Sequence, residues 1–436
     1  MHRFPPRLAA CALLAAAAGA SASAIVVPVS TAAALRTAID NAQPGHVITL
    51  AAGTYVISQN LLCDTAGTPD LAIVVRAATP GTALIQSSSV EGFKVSAPYW
   101  TFEGLVVEGT CADDNDCEHA FHIFGDAEWT VLRRNVLRDF NAQVKSNGNG
   151  MPFVFPDDVL VEGNELYDTH ARDTGNPVTK LDVVGGRRWV VRGNSIHDYE
   201  KLGGDGISYA AFLKGNSRQG TFERNLVRCH TPASPFSGGA RVGLSFGGGG
   251  SGPPSICEDG TCTPEHQNGV MRNNVVLGCN DVGIYLNAAA ASGIYANTLY
   301  DTTGIDVRFV ASVADLRDNV LSGQIRNRDG GTSTEGSNLE NVSLSEWDAW
   351  FLTPQSADFT LTGGATIVDQ GEPVVAVADD YCGALRRTGA PDLGALEYST
   401  PVPSSPCATT VAGGGTELFR DGFERGGVGA FRERWP

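Results

Sequence analysis

A short phrase of apolar and polar residues recurs along the middle of the chain. Two alternating apolar residues are followed by two polar ones, an Asn and a second apolar pair, with small variations. The asparagines of successive copies are 29, 30, 31, 49, 23 and 22 residues apart, so each copy marks one structural repeat, with insertions in some. The copies are Val131–Leu137, Val159–Leu166, Trp189–Ile196, Thr221–Val227, Gly269–Val276, Gly293–Leu299 and Ala314–Leu321, and their asparagines are Asn135, Asn164, Asn194, Asn225, Asn274, Asn297 and Asn319.

This repeat predicts an all-β solenoid, a single-stranded parallel β-helix. Strands of four or five residues, such as Gly283–Asn287 and Ile305–Phe309, follow the Asn phrases. One repeat cannot bury its apolar side alone, so we expect about nine to eleven stacked rungs with atypical end rungs. The Asn is expected to take a left-handed turn conformation and to hydrogen-bond to the Asn above and below it. A β-propeller would need about 40 residues per blade, and the observed period is too short for it.

The two ends of the chain differ from the repeats. Residues 1–24 have the basic start, apolar run and Ala22-Ser23-Ala24 site of a secretory signal peptide. Residues 25–398 would form the β-helix, with a capping helix near Leu35–Ala42 and a closing strand near Pro391–Tyr398. Residues 399–416 are Pro- and Gly-rich and predict a linker, and residues 417–436 are either a sorting tag or a disordered tail.

The signal peptide and the composition indicate the compartment of the protein, and they argue against a membrane-spanning segment and against nucleic acid as a partner. After the signal peptide, no stretch reaches the roughly 18 apolar residues of a membrane-spanning helix. We therefore expect a secreted, periplasmic or cell-surface protein of a bacterium, without an integral membrane segment, and a monomer. The net charge of −17 argues against nucleic acid, because phosphate binding needs a basic surface.

The cysteines fit an oxidising compartment. Nine of the 10 cysteines remain once Cys11 leaves with the signal peptide, so one stays unpaired. Short spacing makes Cys111 with Cys117 and Cys257 with Cys262 candidate disulfides, and Cys229 and Cys279 fall at similar places in adjacent repeats. None has zinc-finger spacing.

Functional side chains must leave the strands outward, because neighbours in a strand alternate between core and surface. Insertions at 147–158, 171–177, 216–220 and 247–266 would wall the face that carries them into a groove, and long loops on a regular scaffold commonly carry function. Aligning the strands on the asparagines predicts one outward line: Lys145, Asp182, Tyr209, Ser245, Tyr285 and Arg308.

One strand resembles the catalytic strand of a known family, the right-handed β-helix polysaccharide lyases that include alginate lyases and chondroitinase B. The family's V-K-S-x-x-N is matched by Val144-Lys145-Ser146-Asn147-Gly148-Asn149, and the similar layout extends over roughly 25–398. The resemblance implies a right-handed, pectin lyase-like solenoid. It also implies that Lys145 removes the proton next to a uronate carboxylate, with calcium held by Asp139 and Asn141 in the place of the family's acidic pair.

The chain departs from the family one rung later. Where the family has an Arg, this chain reads Thr179-Lys180-Leu181-Asp182-Val183, so the second cation is missing or is shifted to Lys180. Lys214, Arg241 or Arg308 could replace it from neighbouring rungs. We therefore take Lys145, Lys180 and Arg308 as candidate catalytic residues. The candidate substrate-binding residues are Asp182, Tyr209, Lys214, Arg241 and Tyr285.

The function predicted from these residues is β-elimination of an acidic, uronate-containing polysaccharide. A β-helix glycoside hydrolase is one alternative, but the pairs Asp113-Asp114, Asp157-Asp158 and Asp379-Asp380 are expected in loops and not on the central face. A glycan-binding or adhesion module that does not cleave its ligand is the other alternative, with aromatic side chains as sugar platforms.

Overall fold

The computed structural model describes residues 24–150, 153–231, 238–248, 250–386, 389–399 and 407. The predicted signal peptide, linker and tail therefore lie almost wholly outside the described residues. Within them the chain winds through three long parallel sheets, which we name A, B and C in the order in which each turn visits them. Sheets B and C have ten strands each, so the chain makes ten complete turns, and the predicted parallel β-helix is confirmed.

The strand bounds follow sheet by sheet. Sheet A contains β1 (Ile25–Val29), β2 (His46–Leu50), β5 (Ile73–Ala77), β8 (Trp100–Glu103), β11 (Val131–Arg133), β14 (Leu160–Glu162), β17 (Val190–Arg192), β21 (Thr221–Glu223), β25 (Val270–Arg272), β29 (Ser292–Tyr295), β32 (Val313–Arg317) and β35 (Thr332–Gly336). Sheet B contains β3 (Gly53–Ile57), β6 (Ala83–Ser87), β9 (Val106–Gly109), β12 (Val136–Arg138), β15 (Glu165–Tyr167), β18 (Ser195–His197), β22 (Leu226–Arg228), β26 (Val275–Leu277), β30 (Thr298–Tyr300) and β33 (Val320–Leu321).

The insertions between rungs border sheet C. It contains β4 (Leu61–Cys63), β7 (Glu91–Val95), β10 (His119–Phe124), β13 (Ala142–Asn147), β16 (Val178–Val184), β19 (Ile207–Lys214), β23 (Ala240–Phe246), β27 (Ile284–Asn287), β31 (Gly304–Arg308) and β34 (Gln324–Arg328). A small parallel sheet contains β20 (Ser217–Arg218), β24 (His266–Gln267) and β28 (Ala289–Ala290), and β36 (Phe351–Thr353) pairs antiparallel with β37 (Asp358–Leu361). The helices are α1 (Ala32–Asp40) and α2 (Leu344–Trp350), with short 3₁₀ turns at Pro254–Ile256 and Pro354–Ser356.

The predicted asparagine ladder is confirmed at the corner between sheets A and B. Each side-chain oxygen accepts from the backbone and side-chain amides of the Asn one rung before it, as Asn164 does from Asn135 at 2.9 and 3.0 Å. The ladder runs on past Asn319 to Asn338, which the repeat did not reveal. One detail was wrong: the left-handed residue is the one before each Asn, such as Arg134 or Ala296, and not the Asn itself.

The two ends of the solenoid are covered in different ways. Helix α1 caps the first rungs, with Thr31 accepting from the Ala34 amide at its start and with Leu35 and Ile39 buried in the core. The expected closing strand near Pro391–Tyr398 was wrong, because the rungs end at β35 and those residues form no strand. Instead, the residues after β35, which we call the C-terminal segment, pack on the outer face of sheet B. There Trp347 and Leu393 belong to the same hydrophobic cluster as Val275.

Four disulfides hold the described part of the chain. Three are the predicted pairs, Cys111–Cys117, Cys229–Cys279 and Cys257–Cys262. The fourth, Cys382–Cys407, was not predicted, and Cys63 is the odd thiol, buried in the core. Among the described residues, no helix has the length and apolar character needed to cross a bilayer.

A buried histidine makes the stability of the fold depend on pH. His266 in β24 stacks on Phe246, its Nδ1 lies 2.7 Å from the Ser217 hydroxyl, and its Nε2 accepts from the Gly220 amide. Burial lowers the pKa of His266 to about 3. The unfolded chain therefore binds a proton below pH ~6.5 that the folded chain does not, and stability falls as the pH drops toward 3, by roughly 4 kcal/mol in total.

We expect His266→Asn to flatten this dependence. The variant keeps a polar side chain but no titrating ring, so its unfolding free energy, measured with urea at several pH values, should lose about one proton of slope between pH 6 and 3.5. Equal slopes for the variant and the wild type would contradict the assignment.

Candidate active site

The outer face of sheet C presents one continuous row of side chains along the solenoid. We call this the central row. Its register is set by parallel pairing of successive strands, in which Lys145 lies opposite His122 on one side and Asp182 on the other. The central row consists of Lys94, His122, Lys145, Asp182, Phe212, Ser245, Tyr285, Asp306 and Arg326.

The strands of sheet C depart from simple alternation just before the central row. Two consecutive residues turn into the core, as Ala120 and Phe121 do in β10 and Ala210 and Ala211 do in β19. Residues on the outer face are then three apart at this point, and not two. Tyr209 accordingly lies outside the core although Phe212, three residues on, occupies the central row.

This geometry corrects part of the predicted outward line. Lys145, Asp182, Ser245 and Tyr285 share the central row as predicted. Tyr209 instead pairs with Thr179, and Arg308 pairs with Asn287, two residues beyond the row. Arg308 is five strands from Lys145, about 24 Å at ordinary strand spacing. The structure therefore does not bring these two candidate catalytic residues together.

Lys145 forms an ion pair with the nearly buried side chain of Asp182. Its ammonium lies 2.8 Å from Oδ1 of Asp182, whose side chain is only 5% exposed. Burial acts to raise the pKa of Asp182, but the charges of Lys145 and Lys214 outweigh it and hold that pKa below the usual range. Lys214 lies one rung further, with its ammonium 4.6 Å from the centre of the Phe212 ring. Asp182 thus forms an ion pair with Lys145, while Lys214 acts on it only through its charge.

A chain of polar groups adjoins Lys145 on its other side. His122 lies 2.5 Å from Glu91 through Nδ1 and 2.7 Å from the Asn147 side-chain oxygen through Nε2. The Asn147 amide donates to the Gly148 carbonyl, which fixes its oxygen toward the ring. Although burial opposes it, hydrogen bonds and charge from His122 and Lys94 lower the pKa of Glu91 to about 2. Both ring nitrogens of His122 therefore lie against oxygen atoms.

Two further titrating groups border Lys145. Burial, together with the positive charges of His122 and Lys145, lowers the pKa of His119 to about 3, so its ring is neutral at physiological pH. Among the described residues no group bonds to its buried Nδ1. Burial raises the pKa of Glu118, against the charge of Lys145, and its carboxylate accepts from Asn176. Residue spacing alone had indicated neither of them.

Lys180 and Arg241 are not surface cations. Lys180 belongs to the inward pair of β16 and is fully buried, 2.5 Å from Asp168 and 3.0 Å from the Phe140 carbonyl oxygen. Arg241 is 5% exposed and donates to the Gly238 carbonyl. Neither side chain can reach a ligand on the outer face of sheet C, so Lys214, two strands from Lys145, is the nearest of the predicted second cations on that face.

Asp139 and Asn141 do not offer free oxygens to a cation. Asp139 accepts from the backbone amide of Thr169 at 2.7 Å, and the Asn141 oxygen accepts from the buried guanidinium of Arg172 at 3.2 Å. A guanidinium beside the site would repel a metal ion. Among the residues that the structure describes, no group of three or more His, Cys, Asp and Glu side chains is arranged to hold a metal. Calcium therefore stays a prediction without support from these contacts.

Comparison with known proteins agrees with the fold. A pectate lyase, Pel9A, is similar in structure with a TM-score of 0.60 and 17% sequence identity, over 83% of this chain and 90% of that one. An alginate lyase from Paenibacillus sp. str. FPU-7 matches with a TM-score of 0.38 and 16% identity, over 72% of this chain and 95% of the other. No protein-family model and no curated protein sequence matches the chain. The expected resemblance to parallel β-helix lyases is confirmed for the fold.

Proposed function

We propose that this chain is a secreted enzyme that cleaves an acidic polysaccharide by β-elimination, with Lys145 as the base. One observation carries the proposal: Lys145 lies on the outer face of the solenoid between His122 and Asp182, with a second lysine, Lys214, one strand beyond Asp182, in a protein of net charge −17. A local cluster of cations in an acidic protein is suited to a carboxylate ligand. The name of the similar structure, a pectate lyase, points to the same class of substrate.

The proposed reaction begins with proton transfer to Lys145. The neutral amine takes the proton next to the uronate carboxylate, and the electron pair forms a carbon–carbon double bond as the bond to the glycosidic oxygen breaks. The leaving oxygen then takes up a proton from solvent, and the Lys145 ammonium returns its proton to solvent. Negative charge builds up on the carboxylate before the bond breaks, and the ammonium of Lys214 would stabilise it there. The disulfides agree with export, because they persist in oxidising compartments.

The experiment that tests the proposal is an ultraviolet assay for the unsaturated uronate that elimination leaves. Polygalacturonate, alginate and a glycosaminoglycan should be compared, each with added calcium and with a chelator. Absorbance should rise with at least one polymer, and the chelator arm tests calcium separately. Silence with all three polymers, from protein shown to be folded, would contradict the proposal and favour a glycan-binding module.

A hydrolase is less well supported, because the Asp-Asp pairs lie off sheet C, and the carboxylates that sheet C does carry near Lys145 are ion-paired, Asp182 with Lys145 and Glu91 with Lys94. Glycoside hydrolysis uses two carboxyl groups that flank the bond. Asp157 and Asp158 both contact Arg188, and Asp379 pairs with Arg224 near the C-terminal segment. None of these lies on sheet C.

A further inference from the structure

Three arginines lie together at the C-terminal end of sheet C, far from Lys145. We call Arg308, Arg326 and Arg328 the arginine patch. Arg308 ends β31, and Arg326 and Arg328 lie in β34, where Arg328 pairs with Arg308. Their side chains are 33%, 31% and 43% exposed. In a chain with 48 acidic and 31 basic residues, three neighbouring arginines on one face are a marked local excess of positive charge.

The patch is built around a buried carboxylate. Asp306, whose side chain is 1% exposed, lies 2.5 Å from Arg326 Nε and 2.6 Å from Arg328 Nη1. Arg308 pairs with Asp329 at 2.5 Å and donates to the Tyr285 hydroxyl at 3.1 Å. Three guanidinium groups lie against the two carboxylates they pair with, and the Glu340 carboxylate beside them accepts from the backbone amide of Ile325. Each guanidinium has five N–H donors and these contacts use one or two of them, so donors remain for a ligand.

An apolar strip joins the patch to the region of Lys145. Val242, Val282 and Tyr285 form a small cluster outside the main core, with Tyr209 packed against it. Phe212 continues the strip toward Asp182, with its ring centre 5.4 Å from that of Tyr209. Phe212 and Tyr285 are only 3% and 7% exposed, so the strip is a packed apolar surface between the two ends, with Tyr209 as its partly exposed aromatic ring.

The patch and Lys145 are separated by a length that only an extended ligand can span. Five strand steps separate β13 from β31 and six separate β13 from β34, or about 24 and 29 Å. The two cationic ends lie on the same face with the aromatic strip between them. A small ligand could occupy one end, whereas a polymer of several sugar units would reach both.

We propose that the arginine patch is a remote binding site for carboxylates of an anionic polysaccharide whose reacting unit lies at Lys145. The idea rests on the proposed function for its substrate class. Arg binds carboxylates through paired N–H donors, which gives the patch both affinity and a preferred orientation of the chain. The patch would make the protein select long acidic chains over short ones and over neutral chains.

The test compares polymer and short-oligomer binding in matched variants. Arg308→Gln with Arg328→Gln removes two guanidinium groups and leaves Arg326 paired with Asp306. Arg317→Gln is the control, since Arg317 is also 33% exposed and ion-paired but lies on sheet A. The probes are polygalacturonate, alginate, the trisaccharide of each, and methyl-esterified pectin as a neutral polymer. Thermal unfolding of each variant confirms that it is folded.

The double variant should bind at least one of the two acidic polymers roughly tenfold more weakly than wild type, with a smaller salt dependence. Its affinity for the trisaccharides should be unchanged, and Arg317→Gln should match wild type throughout. Equal affinity of the double variant and wild type for both polymers would overturn the proposal, as would wild-type protein that binds neither polymer.

Binding and turnover separate the two proposals. Loss of polymer binding in the double variant, without any turnover in wild type, would keep the remote site and reject the lyase. Turnover in wild type, with unchanged polymer binding in the double variant, would keep the lyase and reject the remote site.

Discussion

Replacing Lys145 with alanine is expected to lower kcat for polymer cleavage by about 10³-fold while the protein stays folded. Proton transfer by a positioned side chain contributes on the order of 10²–10⁴-fold to a rate. The Lys145 side chain lies on the outer face of sheet C and is 20% exposed, so its removal leaves no cavity in the core. The measurement is the initial rate of ultraviolet absorbance, with thermal unfolding as the folding control.

Lys145→Arg separates a base from a simple positive charge. Arginine keeps the charge beside Asp182 but stays protonated at any practical pH, so it cannot accept a proton. We expect Lys145→Arg to be as inactive as Lys145→Ala while it still binds polymer. Substantial turnover by the arginine variant would mean that Lys145 only binds substrate.

Replacing Lys180 with methionine is expected to destabilise the fold by about 3–5 kcal/mol, because it leaves a buried carboxylate without its partner. Asp168 and Lys180 are both fully buried and 2.5 Å apart, and Gln143 also donates to Asp168 at 3.0 Å. Burial raises the pKa of Asp168 and lowers that of Lys180, against their mutual attraction. Urea unfolding at neutral pH measures the change.

The double variant Lys180→Met with Asp168→Leu is the matched control. It removes both charges, and apolar replacement of a buried ion pair is often close to neutral in stability, so it should recover most of the loss. A Lys180→Met protein that is as stable as wild type but inactive would contradict the structural role and return Lys180 to the list of catalytic candidates.

The sequence predicted the solenoid well because each rung repeats one local pattern. The asparagines occupy one corner in successive rungs, and their spacing alone gave the rung length and the approximate number of rungs. The C-terminal segment was harder. Trp347 and Leu393 pack against sheet B far from their neighbours in sequence, and no repeat marks that contact.

The candidate site was predicted only in part, because strict alternation fails in sheet C. Alternation placed Lys180 outward beside Asp182, whereas the two-residue inward step in β16 sends it into the core. Ignoring the same step also placed Tyr209 in the row of Asp182, where the structure has Phe212. A signal for it is present in β10, where His119 and His122 flank Ala120 and Phe121, a spacing of three that simple alternation does not produce.

Glu91, His122 and Asn147 were missed for a different reason. They come from three successive rungs, 31 and 25 residues apart, and only the register of parallel strands brings them into contact. Each is an ordinary polar residue in its own strand. Aligning the strands on the core row, with Phe93 opposite Phe121 and Phe121 opposite Val144, would have revealed the set.

The most direct test of the proposed chemistry is the mass of the products released from an acidic polymer. Elimination adds no water, so one new chain end should carry a double bond and each such fragment should be lighter by one water than the hydrolysis product. Mass spectrometry of a digest by the wild-type protein, with Lys145→Ala as the blank, reads this directly. Unsaturated fragments from wild type alone are the predicted result. Saturated fragments would contradict elimination and establish a hydrolase on the same fold.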